Sequence, residues 1–443
     1  MEPIDLLIDA RWIIPVEPDQ RVLERHAIAV NNGRIVALLP TTEARARFAA
    51  REHLQRPNHV LIPGFVNAHT HAAMSLLRGV ADDLPLEAWF GQRIWPLEQR
   101  WVSAEFVRDG SELAYAEMLL AGITCVADWY FYPEESAQVA AQMHLRACIG
   151  APIADAPAPW SRGADDYLSR GLALHDEWLD HPLITTALGP HSPYLVSDAT
   201  FERIRIYADE LDAMVMIHLH ESQAEIAQSI AVHGVRPIER LRRLGLLSPR
   251  LIGVHFVQAD GADIAMAAQA GMSLVHCPES NLKLGNGVAP IAAMLDAGLN
   301  VALGTDGAAS NNDLDLMGEM RLAALLAKGS SRDPTVVNAA TALRMATLNG
   351  GRALGLDSEI GSLVPGKWAD MCCVDLDNPA TLPVYSPLAQ LVYAASRAQV
   401  SDVWVAGKHL VMDGQLTRFD PQRLRQHAAR WSERIAALIE RVA

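Results

Sequence analysis

The sequence predicts an α/β fold, a (β/α)8 TIM-like barrel with a small β-sandwich formed by both chain ends. Two observations predict it. Between about residues 60 and 360, short apolar runs alternate eight times with helical segments rich in Ala, Leu and Glu. Outside that stretch, both ends carry strand-like runs joined by turn residues. The expected domains are 1–58, the first part of the sandwich; 59–362, the barrel; and 363–443, the rest of the sandwich plus a terminal helix.

Residues 4–40 read as short strands, DLLIDARWIIPV and then HAIAVNNGRIVALLP. Asn-Gly between apolar runs is a strong hairpin signal. The barrel runs follow as VLIPGFVN, ITCVADW, RACIGAPI, LITTALG, AMVMIHLH, LIGVHFV, MSLVHC and NVALGTD. Asp333-Pro334 reads as an N-cap followed by Pro at a first helical turn. Strand texture returns in GKWADMCCVDLD (366–377) and SDVWVAGKHLVMDGQ (401–415). The stretch from Pro421 to Ala443 reads as one amphipathic helix.

The chain has 443 residues, half of them hydrophobic, which allows a large core and a satellite. A net charge of -15 argues against nucleic acid or an anionic membrane as partner, since both demand a basic face. The five cysteines (Cys125, Cys148, Cys277, Cys372 and Cys373) form no CxxC, so a zinc ribbon or thioredoxin-like motif is excluded. Such a scattered set reads as reduced thiols in a cytoplasmic protein. The acidic opening MEPIDLLID does not read as a signal peptide, and no apolar run is long enough for a transmembrane helix.

Chemistry gathers at the ends of the barrel runs. His69 and His71 end the first, and His191 follows the fourth in GPHSPY. The fifth delivers His218, His220 and Glu221; the last three carry His255, His276 and Asp306. Reactive groups of such a barrel sit at the C-terminal strand ends. Residues i and i+2 of a strand share a face, so His69 and His71 can reach one metal. A third imidazole from the fifth strand and a carboxylate from the eighth complete a mixed site that suits zinc, with a position open for water. Other patterns fail: HLHES is not HExxH, the PCxxC of nucleobase deaminases is absent, and no Walker or GxGxxG loop opens a strand–helix unit. By parity His220 faces the site with His218, or else it is a core histidine; His276 has the same two readings. Cys277 reads as a small buried hydrophobe.

The HTH on the first strand, His on the fifth and sixth and Asp on the eighth resemble the amidohydrolase superfamily over nearly the whole chain. That resemblance implies the same barrel with a β-sandwich built from both ends. Binuclear members bridge two metals with a carboxylated lysine from the middle strands. Here the first lysine is Lys283, so one metal is implied. IWPLE (94–98), AEMLLAGITCVADW (116–129), GPHSPY (189–194), HLHES (218–222), CPESNLKLGNGVAPI (277–291) and LGTDGAASNNDLD (303–315) look like the 5'-methylthioadenosine/S-adenosylhomocysteine deaminases.

Carried over residue by residue, this resemblance makes His69, His71, His218 and Asp306 the zinc ligands. It makes Glu221 the proton shuttle and has His255 orient the attacking water, with Asp306 taking its proton. Glu98 receives the ribose 2'- and 3'-hydroxyls, and His191 contacts the nucleoside. Trp89 and Trp95 flank Glu98 and either wall the pocket or pack in the core. Family members that bind the homocysteine carboxylate use arginines after the third strand. Here that stretch, GAPIADAPAPWSRGADD, offers only Arg162, which favours methylthioadenosine over S-adenosylhomocysteine. The implied cofactor is one zinc ion per subunit, although three imidazoles and a carboxylate also accept iron. The implied partners are a small-molecule purine nucleoside and water, and the implied assembly is a homo-oligomer. The competing readings are a guanine, pyrimidine or triazine deaminase or dechlorinase on the same scaffold, and a non-catalytic metal-binding barrel.

Overall fold

The computed structural model describes residues 1–19 and 21–442; for 437–442 it describes the backbone alone. The chain opens with β1 (Glu2–Ile13), β2 (Leu23–Asn31), β3 (Arg34–Pro40) and β4 (Phe48–Pro63). Next come β5 (Phe65–Thr70), β6 (Ile123–Trp129), β7 (Arg146–Ile153) and β8 (Ile184–Pro190). They are followed by β9 (Met214–Leu219), β10 (Leu251–His255), β11 (Ser273–His276) and β12 (Asn300–Leu303). The last strands are β13 (Met371–Asp375), β14 (Val400–Val405), β15 (Lys408–Met412) and β16 (Gln415–Leu416).

Among the described residues these form two eight-stranded sheets. One runs in the order β16-β15-β14-β13-β4-β1-β2-β3 and so joins both ends of the chain. The junction is the antiparallel pair β4–β13, with Leu61 opposite Cys373 and Ile62 opposite Cys372. The expected sandwich is thus one mixed sheet, whose Ile8, Ile28, Leu61, Met371 and Trp404 share a buried cluster. The NNG hairpin forms as expected. Asn32 and Gly33 take φ of 50° and 75°, the pair of left-handed residues that a two-residue turn between twisted strands requires.

The second sheet runs β5 to β12 in chain order with parallel neighbours throughout, a nearly closed barrel wrapped by helices. Its interior holds small side chains, Ala68, Cys125, Ala127, Cys148 and Ala302, and Leu354 and Ile360 join the same cluster. At the seam, the Asp306 N–H donates to the His69 carbonyl at 3.1 Å. Asn67 clasps Thr305 twice, accepting from its N–H at 3.0 Å and donating to Oγ1 at 2.8 Å. A Cβ on Gly304 would lie 2.8 Å from the His69 carbonyl oxygen, so only glycine lets the seam close.

Two expectations are corrected. The run VLIPGFVN is not one barrel strand: VLIP belongs to β4, and the first strand of the barrel sheet starts at Phe65. Apolar texture alone cannot divide a run that is buried in two consecutive sheets. Asp333-Pro334 starts no helix. Asp333 instead accepts from the Thr335 N–H at 2.8 Å and hydroxyl at 2.7 Å, a local turn that competes with helix. The next helix is Ala339–Met345, capped by Asn338.

Arg146 on β7 ties the two sheets together, donating to Asp370 at 2.7 and 3.2 Å with both side chains buried. The terminal helix Pro421–Val442 lays Trp431 and Ile435 into an apolar cluster with Trp89, Ile94 and Leu97. No described helix is long and apolar enough to cross a membrane.

Candidate active site

His69 is the penultimate residue of β5 and is fully buried; His71 follows the strand. Their Nε2 atoms lie 3.3 and 3.4 Å from Oδ1 of Asp306, which follows β12. His69, His71 and Asp306 each offer a ligand atom within 4.8 Å of the others, and so do His69, His218 and His255. Two triads sharing His69 therefore bring together every metal ligand read from the sequence. They also bring in His255, which the geometry admits as a further imidazole.

The donor set is prepared for a cation. A carbonyl oxygen can only accept, so an imidazole nitrogen facing one must carry the proton. Nδ1 of His71 faces the Trp129 carbonyl, Nδ1 of His218 the His191 carbonyl at 2.8 Å, and Nδ1 of His255 the Asn281 side-chain oxygen at 2.8 Å. Each leaves Nε2 with a free lone pair, the arrangement expected around a metal. Both ring nitrogens of His69 are buried without a hydrogen-bond partner, and a bound metal would satisfy one of them. The other oxygen of Asp306 accepts the hydroxyls of Ser280 at 2.7 Å and Ser310 at 2.8 Å, which aims Oδ1 at the imidazoles. Burial pushes Asp306 up, but the imidazoles outweigh it and hold the carboxyl well below its usual range. Burial lowers His69 to about 4 and so keeps it neutral. These residues fit a divalent cation with mixed nitrogen and oxygen ligands, and zinc suits that set.

Glu221 stands beside this centre, its Oε1 3.9 Å from Nε2 of His255 and bonded to the Asn286 amide at 3.1 Å. Burial raises its pKa, which suits a group that carries a proton at neutral pH. The turn that delivers it is clamped by Glu225, whose carboxylate accepts the N–H groups of His220 at 2.9 Å and Glu221 at 2.7 Å. The signal for Glu225 was the Ser222-x-x-Glu225 spacing of a helix start. Ser222 does cap that helix, while Glu225 reaches back to the turn.

The open histidines now have places. His220 adopts φ of 54°, so strand parity with His218 breaks. Its Nε2 accepts the Ile238 N–H at 3.0 Å and its ring lies against Phe256, away from the metal ligands. His276 touches Asn281 at 3.4 Å and so supports the residue that orients His255. All five cysteines are free and buried, Cys277 among them.

The centre opens into a cavity of about 520 Å³. Glu98, His191, Trp89 and Trp95 line it, together with Phe90, Phe131 and Tyr194. Glu98 is buried and hydrogen-bonded to the Tyr130 hydroxyl at 2.7 Å. Trp129 stacks on His218, ring centroids 4.5 Å apart. Arg162 is the sequence-predicted residue that the structure does not bring in: its side chain is 90% exposed and pairs with Asp166. It lies on the flank of the loop after β7, and the part that faces the cavity is Ala154, Ala156, Pro157 and Ala158. Among the described lining residues there is no Arg or Lys.

Imidazoles and one aspartate at the mouth of a parallel barrel, with a buried carboxylic acid beside them, define a metal-dependent hydrolase. Residues 60–410 match the amidohydrolase family model. The chain is 46% identical over 434 residues to a 5-methylthioadenosine/S-adenosylhomocysteine deaminase of Teredinibacter turnerae, covering 98% of both chains. It is 45% identical over 435 residues to the enzyme of the same name from Saccharophagus degradans, again over 98% of both. It is similar to a zinc-bound adenosine deaminase from Xanthomonas campestris with TM-score 0.98 and 52% identity, over 98% of this chain and 99% of that one. The chain belongs to the amidohydrolase family and, within it, to the 5'-methylthioadenosine/S-adenosylhomocysteine deaminases, hydrolases that act on C–N bonds.

Proposed function

We propose that the protein hydrolyses the exocyclic C6–N bond of 5'-methylthioadenosine, giving the 6-oxopurine nucleoside and ammonia, with one zinc ion per subunit. The observation that carries this reading is the cavity itself. It has Glu221 beside the imidazoles and Asp306, a second buried glutamate further along, and no Arg or Lys among its described lining residues. The relatives' names support deamination of a 6-aminopurine nucleoside.

His69, His71, His218 and Asp306 would hold a divalent cation, which would supply the Lewis acidity that makes water nucleophilic near neutral pH. Glu221 delivers its proton to ring N1 as oxygen adds at C6, while Asp306 takes one proton from the attacking water. The second water proton, leaving the new C6 hydroxyl, passes through the emptied Glu221 to the departing amine as the C6–N bond breaks. The proton on Asp306 then restores Glu221. A positioned acid/base of this kind contributes roughly 10²–10⁴-fold. Asn286 holds its carboxyl on the substrate side. His255, fixed by Asn281, directs its Nε2 lone pair at the attacking water and orients it by accepting its hydrogen. Glu98 accepts the ribose hydroxyls, since an ionised carboxylate has lone pairs for both. The aromatic wall of Trp89, Phe90, Trp95 and Phe131 suits the base and an apolar thioether.

With Arg162 outside the cavity, nothing among its described lining residues neutralises a homocysteine carboxylate. Methylthioadenosine is therefore expected to be turned over faster than S-adenosylhomocysteine. A parallel ultraviolet assay of metal-replete protein on methylthioadenosine, S-adenosylhomocysteine, adenosine and guanine tests this. Turnover of guanine alone would move the protein to a sibling activity. Glu221→Gln should abolish turnover with metal content unchanged, and a rate that survives it removes Glu221 from the chemistry. Metal analysis decides between zinc and iron, and light scattering tests the homo-oligomer that belongs to the same reading.

A further inference from the structure

Glu98 is 4% exposed and lines the cavity together with Ile94 and Trp95 of the same segment. Among the described residues its carboxylate has no ion-pair partner, and the carboxylate's one hydrogen bond is from the Tyr130 hydroxyl to Oε1 at 2.7 Å. Tyr130 is itself buried and lines the cavity. It follows Trp129, whose carbonyl holds Nδ1 of His71 and whose ring stacks on His218. One dipeptide thus fixes two metal ligands and the carboxylate that faces the sugar.

We propose that Tyr130 is a specificity-determining residue. By donating to Oε1 of Glu98, it holds the carboxylate so that its second oxygen meets the 2',3'-diol, and thereby selects ribonucleosides over 2'-deoxynucleosides. The inference rests on the reading that Glu98 receives the ribose hydroxyls. Physically, a buried carboxylate without a cation drifts toward its neutral acid, and burial here pushes Glu98 up to about 7 against the opposing Tyr130 bond. A neutral acid must place its own proton and loses one of the acceptors that two hydroxyls need. The phenol is the neighbour that keeps Glu98 charged and stops it from rotating.

The experiment compares kcat/KM on 5'-methylthioadenosine and on its 2'-deoxy analogue for the metal-replete parent, Tyr130→Phe and Glu98→Gln. Metal content and near-ultraviolet circular dichroism serve as controls on folding. Tyr130→Phe keeps the ring and removes one charge-assisted hydrogen bond. It should cut kcat/KM on the ribonucleoside by roughly tenfold or more, mostly through KM, and barely change the 2'-deoxy analogue. An unchanged ribo-to-deoxy ratio in Tyr130→Phe, alongside a collapsed ratio in Glu98→Gln, overturns the role of Tyr130. A ratio unchanged in both variants overturns the reading of Glu98 beneath it. Tyr130→Leu provides a second variant and should lose the same discrimination.

Discussion

Glu225 sits in a concavity made by two successive backbone N–H groups, those of left-handed His220 and of Glu221. Such a nest favours an anion, yet burial pushes Glu225 up to about 8. Its carboxylate is held by the turn rather than by a cation. Glu225→Gln would set an amide NH₂ against a backbone N–H and shift Glu221. A displacement of about 1 Å at a reacting group costs on the order of 10²-fold. The expected result is a large fall in kcat with KM and melting temperature nearly unchanged, read by steady-state kinetics and thermal melts. Ser229→Ala, which breaks a bond at the other end of the same helix, should leave kcat alone. His255→Ala should keep metal that His218→Ala loses, as read by metal analysis; loss in both would make His255 a ligand. That the imidazoles and Asp306 gather at one place was legible because such groups at strand ends have few other uses. Ser280, Asn281, Asn286 and Ser310 were not, although they lie in quoted motifs. A hydroxyl or amide acquires its role only from a partner brought up by another strand.

Among the elements, three strand ends share one device. His220, His255 and Asp306 all take positive φ, 54°, 74° and 57°, a region costly for side chains of this size. The left-handed turn swings the next residue out of strand parity. Alternation therefore located His69 and left His220 with two readings, between which its own left-handed φ decides. The eight barrel strands themselves were readable, because a strand covered on both faces is a short continuous apolar run. Their joint with the other sheet was not readable, since β4 and β5 are apolar on either side of Gly64. The closure of β12 onto β5 depends on Gly304. Gly304→Ala should cost about 1–3 kcal/mol by overpacking, seen as a lower urea midpoint at unchanged slope.

At the scale of the whole molecule, the two sheets hold each other through buried charge. Arg146 and Asp370 are 5% and 1% exposed, and removing one partner strands the other in a dry interior. Arg146→Ala should therefore destabilise by about 3–5 kcal/mol in urea titrations, while turnover at low temperature persists. Across the terminal sheet, Arg56 of β4 donates to Asp402 of β14 at 2.7 and 2.6 Å, and His409 adds 3.1 Å. Burial raises Asp402, but these bonds outweigh it and hold it well below the usual range. Its stabilisation is thus complete above about pH 4, the unfolded value, and fades as pH falls toward the lowered folded one. Asp402→Asn should accordingly lose more stability at pH 7 than at pH 3, as measured by urea unfolding at both.

The β4–β13 pair also carries a consequence in time. Pro63 ends one partner and Met371 begins the other, so the ribosome must make the whole barrel before the pair can form. At about 5–20 residues per second, nascent β4 keeps one flank unpaired for roughly a quarter of a minute to a minute. A bare strand flank of that kind invites association with neighbouring chains. β4 meets the delay with Arg51, Glu52, His53, Arg56 and Pro57 along its first two-thirds, confining its sticky VLIP to the last turn before the barrel begins. Arg56, which later locks the finished sheet to Asp402, lies just ahead of the His59–Pro63 stretch that waits for β13.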